Sequence, residues 1–516
     1  MNFFKSESMR RVDRDVIASG TPGEILMSRA SRKLAGELLF FSENRPRPVI
    51  VLCGPGNNGG DGFGLAALLH GQAWPVEIWN CAKVSKLHGD AEGFFRRAME
   101  SGVVCRDFSE QSAWDRAEMF LQPGAWLVDA LLGTGSTEAP RGVIAAAVRF
   151  LREHRGSFKI WSVDLPSGLD ADQGKPFDPD LCVQAEHTLT LGGGKTGFAY
   201  EHSSLWTGAV SVLDLGIDPE HLQSHADPDA PFCLSDAEAS HLLPEHSRSS
   251  HKGTRGHLLL IGGSSGMTGS ISLSAQAACV SGCGMVSILT PFSCAPLIDA
   301  AVPEAVVIPG NQGKFMTLSN QNLEFSPYQA VGVGPGLRVN YDSIELVVRI
   351  LRECEVPLVL DADALNCMAT LDPEMQRCAA PLWLTPHPGE MACLMGLNTT
   401  EILENRTETV ACAAAKHGAM VLLKGDRSRM YGPHGRAWIN LNGNPGMAKG
   451  GSGDVLTGIL GSLIAGGVPA DRVLPLAVYL HGRAGDLAAC RKGKNGMRAG
   501  DIVEAIPAVL QHLKGA

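Results

Sequence analysis

The sequence lacks any long hydrophobic run, since no stretch approaches the ~18 consecutive apolar residues that a membrane-spanning helix needs. It also lacks an excess of basic residues. The chain has 44 Lys and Arg against 54 Asp and Glu, which gives a formal net charge of −10. A chain built to wrap nucleic acid is normally basic. We therefore expect neither a membrane nor a nucleic acid as a partner.

The first fifteen residues lack the apolar core of a signal peptide, because charges interrupt MNFFKSESMRRVDRD. Glu7, Asp13 and Asp15 also disfavour a transit peptide, a class that is poor in acidic residues. The cysteines lack any CxxC pair, and we interpret them as reduced, mostly buried residues. These features predict a cytoplasmic protein.

Glycine is what the sequence has in abundance, with 60 glycines in 516 residues. This length allows two or three domains with their own cores. Hydrophobic residues make up 44% and charged residues 19%, which is typical of a globular enzyme. Glycine-rich turns that follow strands would account for much of the glycine content.

Strands and helices alternate along the first part of the chain. The spacing of apolar residues predicts a helix over 24–41. The predicted strands are 48–53, 75–80, 126–132, 159–165 and 187–191. Such alternation indicates a parallel, doubly wound sheet. We therefore predict a Rossmann-like α/β domain over residues 1–218.

A stretch rich in Pro, Asp, Ser and His then interrupts the pattern, and it predicts a linker at 219–227. A second alternation of strands and helices follows. Its predicted strands are 257–263, 285–290, 330–336, 357–363, 382–387 and 420–426. These strands predict a second α/β domain over residues 228–516.

The turn GPGNNGGDGFG, at residues 54–64, follows the first predicted strand of the first domain. Its G-x-G-x-x-G spacing from Gly54 fits the dinucleotide-binding fingerprint. A redox site for NAD is nevertheless disfavoured, because the second strand ends at Asn80 rather than at an acidic residue. Asp61 would also place a carboxylate where the pyrophosphate would lie. The turn therefore indicates a nucleotide-like ligand without indicating redox chemistry.

Oxygen-bearing side chains follow the strands of the first domain. Open α/β sheets bind ligands at the carboxyl ends of their strands. Asn58, Asp129 and Ser167 all lie near such ends, and their oxygens are suitable ligands for a hard cation. Asp164 ends the fourth strand. The alternative, that a single acidic residue of this kind only caps a helix, stays open.

The segment GGGKTG, at 192–197, superficially matches a phosphate-binding P-loop. That pattern requires a glycine at position 189, where the chain has Leu189, and the following FAYEHSS is a poor helix start. We therefore reject a P-loop in the first domain.

The segment GGSGD, at 450–454, leads directly into the apolar helix VLTGILGSLIAG in the second domain. The N–H groups of Gly450 to Gly453, at a helix N-terminus, would form an anion hole. Asp454 would lie in the first helical turn, where it can accept a proton from a hydroxyl group that attacks a phosphoryl group. The alternative is a flexible turn in which Asp454 is only a helix cap.

Lys424 and His387 are each expected near a strand end of the second sheet. Lys424 begins KGD after the strand MVLL, and His387 begins HPGE after WLTP. Both would therefore lie on the ligand side of the sheet. A structural role for His387 is an equal alternative.

The motifs LMSRA, GPGNNGGDG, VDALLGTG, VDLPSG and LGGGKTGF occur together over residues 10 to 217. In combination they resemble the epimerase domain that acts on hydrated NADH and NADPH. The resemblance implies that Asp164 is catalytic and that Asn58, Asp129 and Ser167 bind potassium. The substrate-binding residues that it implies are Asn57, Asn58, Gly59, Gly60, Asp61, Gly133, Thr134, Gly135, Arg141 and Asp164.

The motifs HKGTRGH, GVGPGL, DADALN, TPHPGEM, LLKGD and GNPGMAKGGSGD occur together over residues 228 to 514. They resemble the ribokinase superfamily, and more narrowly the ADP- or ATP-dependent dehydratase of hydrated NAD(P)H. The resemblance implies that Ala277, Gly336, His387 and Asp454 bind the hydrate, with Asp454 catalytic. The nucleotide-binding residues that it implies are Lys424, Gly425, Asp426, Arg427, Ser428, Asn444, Lys449, Gly450, Gly451, Ser452 and Gly453.

Together the two resemblances imply a bifunctional repair enzyme, an isomerase and a lyase in one chain. The first domain would interconvert the R and S hydrates. The second would dehydrate the S form at the expense of ADP, giving AMP and phosphate, with magnesium beside the nucleotide and ATP as the alternative donor. A homo-oligomer is also implied.

Two other functions remain open from the residues alone. One is a kinase for a vitamin or sugar hydroxyl group, fused to a nucleotide-binding domain, because GGSGD by itself fits such an enzyme. The other is a non-catalytic binding or scaffold protein, in which neither Asp164 nor Asp454 would contribute to a reaction.

Overall fold

The computed structural model describes residues 1–245, 247–310, 324–433, 435 and 437–515. Within it the chain divides into two compact units, Met1–Ala237 and Glu238–Ala516. Among the described residues, no helix combines the length and apolar character needed to cross a membrane. All fourteen cysteines are free thiols.

The first unit contains a seven-stranded sheet whose neighbouring strands all run parallel. The strands of this unit are β1 (Phe3–Phe4), β2 (Val49–Cys53), β3 (Val76–Asn80), β4 (Val104–Asp107), β5 (Trp126–Ala130), β6 (Lys159–Val163), β7 (His187–Leu191), β8 (Gly194–Lys195) and β9 (Ala209–Leu213). The sheet order is β4-β3-β2-β5-β6-β7-β9, and β1 pairs separately with β8. Because β2 lies between β3 and β5, the chain order reverses there. A crevice is therefore expected at the carboxyl ends of β2 and β5.

Helices connect these strands, as the predicted Rossmann-like fold requires. They are α1 (Ser6–Ala18), α2 (Gly23–Ser42), α3 (Asn57–Gly71), α4 (Gly89–Glu100), α5 (Gly142–Glu153), α6 (Ser204–Thr207) and α7 (Pro219–His225). The predicted helix 24–41 is α2. The core includes Trp79, whose ring stacks on Phe108 with centroids 4.3 Å apart. The predicted fold class of this unit is confirmed.

The structure differs from the sequence-based expectation at three places in this unit. Strands β5 and β6 end two residues before the predicted strands do. Asp164 therefore lies just after β6, while Asp129 remains within β5 as its second-last residue. Strands β1, β4, β8 and β9 were not predicted. The predicted linker contains α7, because Pro219 occupies the first helical position and the Asp218 carboxylate accepts from the Glu220 N–H at 3.0 Å.

The second unit contains a nine-stranded sheet. Its strands are β10 (His257–Ile261), β11 (Met285–Thr290), β12 (Val306–Pro309), β13 (Ala330–Val333), β14 (Leu358–Leu360), β15 (Leu382–Leu384), β16 (Met420–Leu423), β17 (Arg429–Tyr431) and β18 (Ala437–Ile439). Their order is β12-β11-β10-β13-β14-β15-β16-β17-β18. Neighbours are parallel from β12 to β16, and β17 and β18 add an antiparallel edge. Neither this edge nor β12 was predicted. The chain order reverses at β10 and β13.

Eleven named helices complete the described part of the second half of the chain, the first of which spans the division between the units. They are α8 (Asp236–Leu242), α9 (Thr268–Val280), α10 (Ala295–Ala301), α11 (Tyr341–Glu353), α12 (Asp363–Ala369), α13 (Pro388–Met395), α14 (Thr399–Glu404), α15 (Arg406–His417), α16 (Ser452–Ala465), α17 (Val473–Lys492) and α18 (Ala499–Lys514). Helix α16 is the predicted apolar helix after GGSGD. The predicted α/β class of this unit is also confirmed.

Helix α16 packs closely on α9 because Gly458 has no side chain. A Cβ atom at this position would lie 2.0 Å from the Ser274 carbonyl oxygen. Since that oxygen belongs to the backbone of α9, the two helices would have to separate to admit a methyl group. The close contact holds α16 against α9, and Ser274 Oγ of α9 also donates to the Asp454 carbonyl oxygen at 2.8 Å.

We predict that Gly458→Ala destabilises the second unit by about 1–3 kcal/mol, the usual cost of overpacking a core. The matched control is Gly269→Ala on α9, where a Cβ atom would meet nothing within 4 Å. The control should leave stability unchanged or raise it by up to about 1 kcal/mol. Urea unfolding followed by circular dichroism measures both. Equal stabilities for the two variants would contradict the packing described.

Two candidate active sites

A cavity of about 510 Å³ lies in the first unit, at the carboxyl ends of β2 and β5. The glycine turn forms one wall of it, and this turn requires glycine on steric grounds. A Cβ atom on Gly59 would lie 2.0 Å from the Gly54 carbonyl oxygen, and one on Gly54 would lie 1.9 Å from the Leu131 carbonyl oxygen. The close packing of the backbone brings the start of α3 to the edge of the cavity.

Most of the substrate-binding residues predicted in this unit lie around that cavity. Those that line it are Asn57, Asn58, Asp61, Gly133, Thr134, Gly135 and Asp164. Gly59 and Gly60 are buried within α3 and support the wall from behind. Arg141 is not among the lining residues, because its exposed side chain pairs with Glu138 at 2.7 Å. Its predicted contact with substrate stays a prediction.

Asp164 forms a buried ion pair with Lys195, which the sequence did not predict as a site residue. Lys195 Nζ lies 2.6 Å from Asp164 Oδ1, and the lysine side chain is only 1% exposed. The carbonyl oxygens of Leu191 and Gly193 accept hydrogen bonds from the same ammonium group at 3.0 and 3.2 Å. Asp164 has a left-handed backbone, with φ of +64°. Such strain in a non-glycine residue is common at functional sites.

Two more carboxyl groups, those of Asp13 and Asp61, line the same cavity, and the pKa of each is raised. Burial raises the pKa of Asp13 to about 6; the positive charge of Lys195 opposes this shift, and Asp164 adds to it. Burial also raises the pKa of Asp61 well above its usual value, with Asp164 and Asp13 contributing. The cavity therefore combines an ammonium group, an aspartate paired with it, a carboxyl group disposed to be protonated (Asp61) and one whose pKa lies just below neutral pH (Asp13). This combination can give and accept protons.

The three predicted potassium ligands are brought together beside the cavity. Ser167 Oγ donates to Asp129 Oδ1 at 2.6 Å, and Asn58 Nδ2 donates to the Leu132 carbonyl oxygen at 2.9 Å. Ser167 Oγ also lies 3.3 Å from that carbonyl oxygen. Asn58 Oδ1 is buried and has no hydrogen-bond partner. A buried acceptor without a partner is costly, and a cation would satisfy it.

Asp454 occupies the predicted position in the second unit. Gly451 has φ of +93°, and α16 begins at the next residue, so Asp454 lies in the first helical turn. Burial raises the pKa of Asp454 to about 6; the charge of Asp361 adds to the shift, while a hydrogen bond from Ser270 and the charge of Lys424 oppose it. At neutral pH this carboxylate is charged and close enough to its pKa to accept a proton efficiently.

Lys424 is held by a second ion pair, with Asp361 at the end of β14. The other oxygen of Asp361 accepts a hydrogen bond from Thr457 Oγ1 at 2.6 Å. A Cβ atom on Gly453 would lie 3.2 Å from Lys424 Nζ, so the ammonium group reaches the glycine-rich turn. The predicted anion hole and the predicted lysine therefore lie together.

The other residues predicted to bind nucleotide lie in two neighbouring loops. In the first, Ser428 Oγ donates to the Gly425 carbonyl oxygen at 2.8 Å, and Arg427 reaches the Leu441 carbonyl oxygen at 2.7 Å. Arg427 has φ of +50° and is almost fully buried.

In the second loop the predicted side chains hold the backbone in place. Asn444 Nδ2 donates to Asp486 at 3.0 Å, and Lys449 Nζ donates to the Met497 carbonyl oxygen at 2.7 Å. These two side chains bind the protein, so any contact that they make with a nucleotide stays a prediction.

The remaining predicted hydrate-binding residues differ in their exposure. His387 is half-exposed at the start of α13, and its Nδ1 accepts from the Gly389 and Glu390 N–H groups at 3.0 and 3.2 Å. Gly336 follows β13 with φ of +68°. Ala277 is fully buried on α9, where its methyl group faces Gly458. The structure thus gives Ala277 a packing role, and its binding role stays a prediction.

Comparisons with known proteins match each of the two parts of the chain to a family. A family model described as "NAD(P)H-hydrate dehydratase" matches residues 258–508, and one described as "YjeF-related protein N-terminus" matches residues 23–197. The chain is 36% identical over 501 residues to the bifunctional NAD(P)H-hydrate repair enzyme Nnr of Moorella thermoacetica, covering 96% of this chain and 93% of that protein.

This chain belongs to the bifunctional NAD(P)H-hydrate repair enzyme family. A second relative with the same name, from Thermofilum pendens, is 31% identical over 525 residues, covering 100% of this chain and 97% of that protein. The second unit is similar to the crystal structure of the Bacillus subtilis ADP/ATP-dependent NAD(P)H-hydrate dehydratase, co-crystallised with ATP and Mg²⁺. The TM-score is 0.51 at 31% identity, over 56% of this chain and all of that structure.

Several site residues of this repair-enzyme chain were not predicted as such. Lys195 and Asp361 stand inside quoted motifs, GGGKTGF and DADALN, but a motif does not reveal which distant side chain its residues pair with. In the sequence, Asp13 is recognisable only as one of the acidic residues of the N-terminal segment. A signal in the sequence did exist for Lys195, a lone lysine in an otherwise uncharged segment that follows a strand.

We predict that Lys424→Met lowers the free energy of unfolding of the second unit by about 3 kcal/mol, because it leaves the Asp361 carboxylate buried without its counter-charge. Adding Asp361→Asn should recover part of this loss, since the asparagine oxygen can still accept from Thr457. The control is Glu353→Gln, which breaks an exposed pair with Arg349 and should cost less than about 1 kcal/mol. Guanidinium unfolding measures all three. If Lys424→Met lowered the free energy of unfolding by no more than the control does, the ion pair described here would be contradicted.

Proposed function

We propose that this protein is a bifunctional NAD(P)H-hydrate repair enzyme with one active site in each unit. The first unit epimerises the R and S forms of hydrated NADH and NADPH. The second dehydrates the S form to NAD(P)H at the expense of ADP, giving AMP and phosphate. The observation that carries this proposal is the presence of two separate clusters of carboxylates around a lysine, each at the carboxyl edge of a parallel sheet, in a chain of this family.

Epimerisation requires that one bond to the hydroxyl-bearing carbon of the ring breaks and re-forms on the opposite face, with a protein group that accepts a proton in the first step and returns it in the second. We assign this exchange to Asp164, because its carboxylate borders the cavity and Lys195 holds it in place. Since Lys195 Nζ lies 2.6 Å from the carboxylate, it can supply a proton and stabilise the charge that remains. Asn57 and Asp61, at the N-terminus of α3, would bind the polar part of the hydrate.

We propose that potassium supports this first site. The fit rests on Asn58 Oδ1, the buried acceptor without a partner, beside Asp129 and Ser167. All the candidate ligand atoms are oxygens, which is the ligand type that hard cations prefer. The bound cation would supply positive charge at the end of β5 and fix the loop that follows it.

In the second unit we assign Asp454 as the base. Its carboxylate takes the proton from the hydroxyl group of the hydrate, and the oxygen attacks the terminal phosphorus of ADP. The oxygen–phosphorus bond to AMP breaks, so AMP leaves and the hydrate carries a phosphate. Loss of that phosphate and of a ring proton restores the double bond. The N–H groups of Gly450 to Gly453 and the ammonium group of Lys424 would neutralise the phosphate charge.

A magnesium ion accompanies the nucleotide in this proposal. Magnesium binds through one or two carboxylates and keeps water and phosphate oxygens as its other ligands. Glu390 would hold the ion, because its buried carboxylate accepts from the His387 N–H at 2.8 Å and keeps further lone pairs for a cation. Burial raises the pKa of Glu390 to about 7; the positive charge of Lys424 opposes this shift, and the negative charge of Asp361 adds to it. A cation would restore its charge. Bound there, the ion would neutralise charge on the departing phosphate.

Other parts of the proposal extend beyond the two sites. We propose that residues 1–218 carry the epimerase and residues 228–516 the dehydratase, with ADP as the usual donor and ATP as the alternative. Assembly as a homo-oligomer and a cytoplasmic location complete the proposal.

We predict that Asp164→Asn and Asp454→Asn each abolish one activity and spare the other. Asp164→Asn should lower the rate of epimerisation at least about 100-fold, and Asp454→Asn should do the same to dehydration, because each removes a proton acceptor. Epimerisation is followed by chromatographic separation of the two hydrates, and dehydration by absorbance of the reduced nicotinamide.

A single folded variant that loses both activities would contradict the two-site proposal. If the wild-type protein showed neither activity, and neither variant changed that result, the chain would be a binding or scaffold protein. Accumulation of a stable phosphorylated product by the wild-type protein would indicate a small-molecule kinase instead.

We predict that potassium raises the unfolding temperature of the first unit, since a ligand that binds only the folded state stabilises it. Asn57 and Asn58 provide a matched pair, because the first is exposed and the second is buried. Asn58→Ala should abolish the effect of potassium and Asn57→Ala should retain it. The comparison salt is tetramethylammonium chloride at equal ionic strength. Identical behaviour of the two variants would exclude the proposed ligand set.

A further inference from the structure

A cluster of potential metal ligands lies outside both active sites, where α7 meets α1. It consists of Asp15, His221 and His225, each of which offers a ligand atom within 4.8 Å of the other two. The two histidines are four residues apart on α7, so their side chains lie on the same face of that helix. Asp15 belongs to α1. The cluster thus joins two helices that are far apart in the sequence.

The geometry of the cluster is close to that of a zinc site. His225 Nε2 lies 3.2 Å from Asp15 Oδ2. Ligand atoms at the usual zinc distances, arranged as a tetrahedron, are separated by about 3.3 Å. The remaining separations need to shorten by no more than about 1.5 Å, which side-chain rotation can supply.

A second observation points to a missing ligand. The Nε2 atom of His221 is buried and has no hydrogen-bond partner. The His221 and His225 rings lie 5.3 Å apart at 62°, so they do not form a stacked pair. Buried ring nitrogens normally have a partner, and imidazole nitrogen is a preferred ligand of zinc and related ions.

We propose that Asp15, His221 and His225 form a binding site for a divalent transition metal ion, with Zn²⁺ as the best fit. Two imidazoles and one carboxylate provide three ligands, and water would complete the tetrahedron. The site is independent of the function proposed above.

The ion would fasten α7 onto α1. Helix α1 matters because its Met9, Asp13 and Ile17 line the cavity of the first unit. Asp15 lies on the same helix between two of these residues. A metal bond at Asp15 would therefore fix the position of a wall of the cavity without contacting the substrate, which gives the site a structural role.

The test is metal binding to the tag-free, full-length protein after treatment with EDTA. Titration with Co²⁺ should show one equivalent with the visible absorption of tetrahedral N/O coordination, and Zn²⁺ should displace it. Asp15→Asn, His221→Gln and His225→Gln should each weaken binding at least about tenfold. The matched control is His202→Gln, whose Nε2 contacts the Gln173 carbonyl oxygen at 2.9 Å, and it should bind as the wild type does.

Asp15 is exposed, so we expect the Asp15→Asn variant to fold. This variant therefore still tests the proposal if one of the histidine variants does not fold. Zn²⁺ should also raise the unfolding temperature of the wild type but not that of Asp15→Asn. The proposal fails if no saturable equivalent binds. The proposal also fails if all three variants bind the metal as the wild type does. It fails as well if the Co²⁺ spectrum shows thiolate ligands, because the ion would then be bound by cysteines.

Discussion

Each unit depends on a lysine that pairs with an aspartate at the carboxyl edge of its sheet, and at least one side chain of each pair is buried. In the first unit the pair is Lys195 and Asp164, and in the second it is Lys424 and Asp361. A buried charge is tolerated only when it is paired and hydrogen-bonded, so each pair fixes the loops that carry it. In each unit the same lysine also lies beside the carboxylate that we assign to catalysis, Asp164 in the first unit and Asp454 in the second. The same positive charge therefore supports the fold and, in our proposal, the reaction.

The groups that surround the two lysines nevertheless differ between the sites. The first site surrounds its lysine with two further carboxyl groups, Asp13 and Asp61, whose pKa values are raised by burial, so that both exchange protons more readily near neutral pH than an exposed aspartate does. This suits a reaction that moves protons without net transfer of a group. The second site places its lysine beside a glycine-rich helix N-terminus, which suits a phosphate. Glu390, close to the same lysine, offers a carboxylate for a cation.

The parallel sheets, most of their strands and the positions of Asn58 and Asp454 could be predicted from the sequence. These features depend on local patterns, namely an apolar run, a glycine turn and the start of a helix. The partners of Asp164 and Asp454 could not be predicted, because ion pairs and shared burial join residues that are distant along the chain. Helix α7 was missed for a different reason. Its Pro and Asp content is typical of a loop, yet the same residues cap a helix.

The central claim, that one chain carries both activities, is tested most directly by complete conversion of a racemic substrate. The wild-type protein would be mixed with an equal R and S mixture of hydrated NADH, ADP, magnesium and potassium, and the absorbance of reduced nicotinamide followed to its end point. The account predicts conversion of both epimers, so that the final absorbance corresponds to all of the hydrate supplied. Conversion that stops when the S form is exhausted would contradict epimerase activity in the first unit. An absence of conversion with both ADP and ATP would contradict the repair function as a whole.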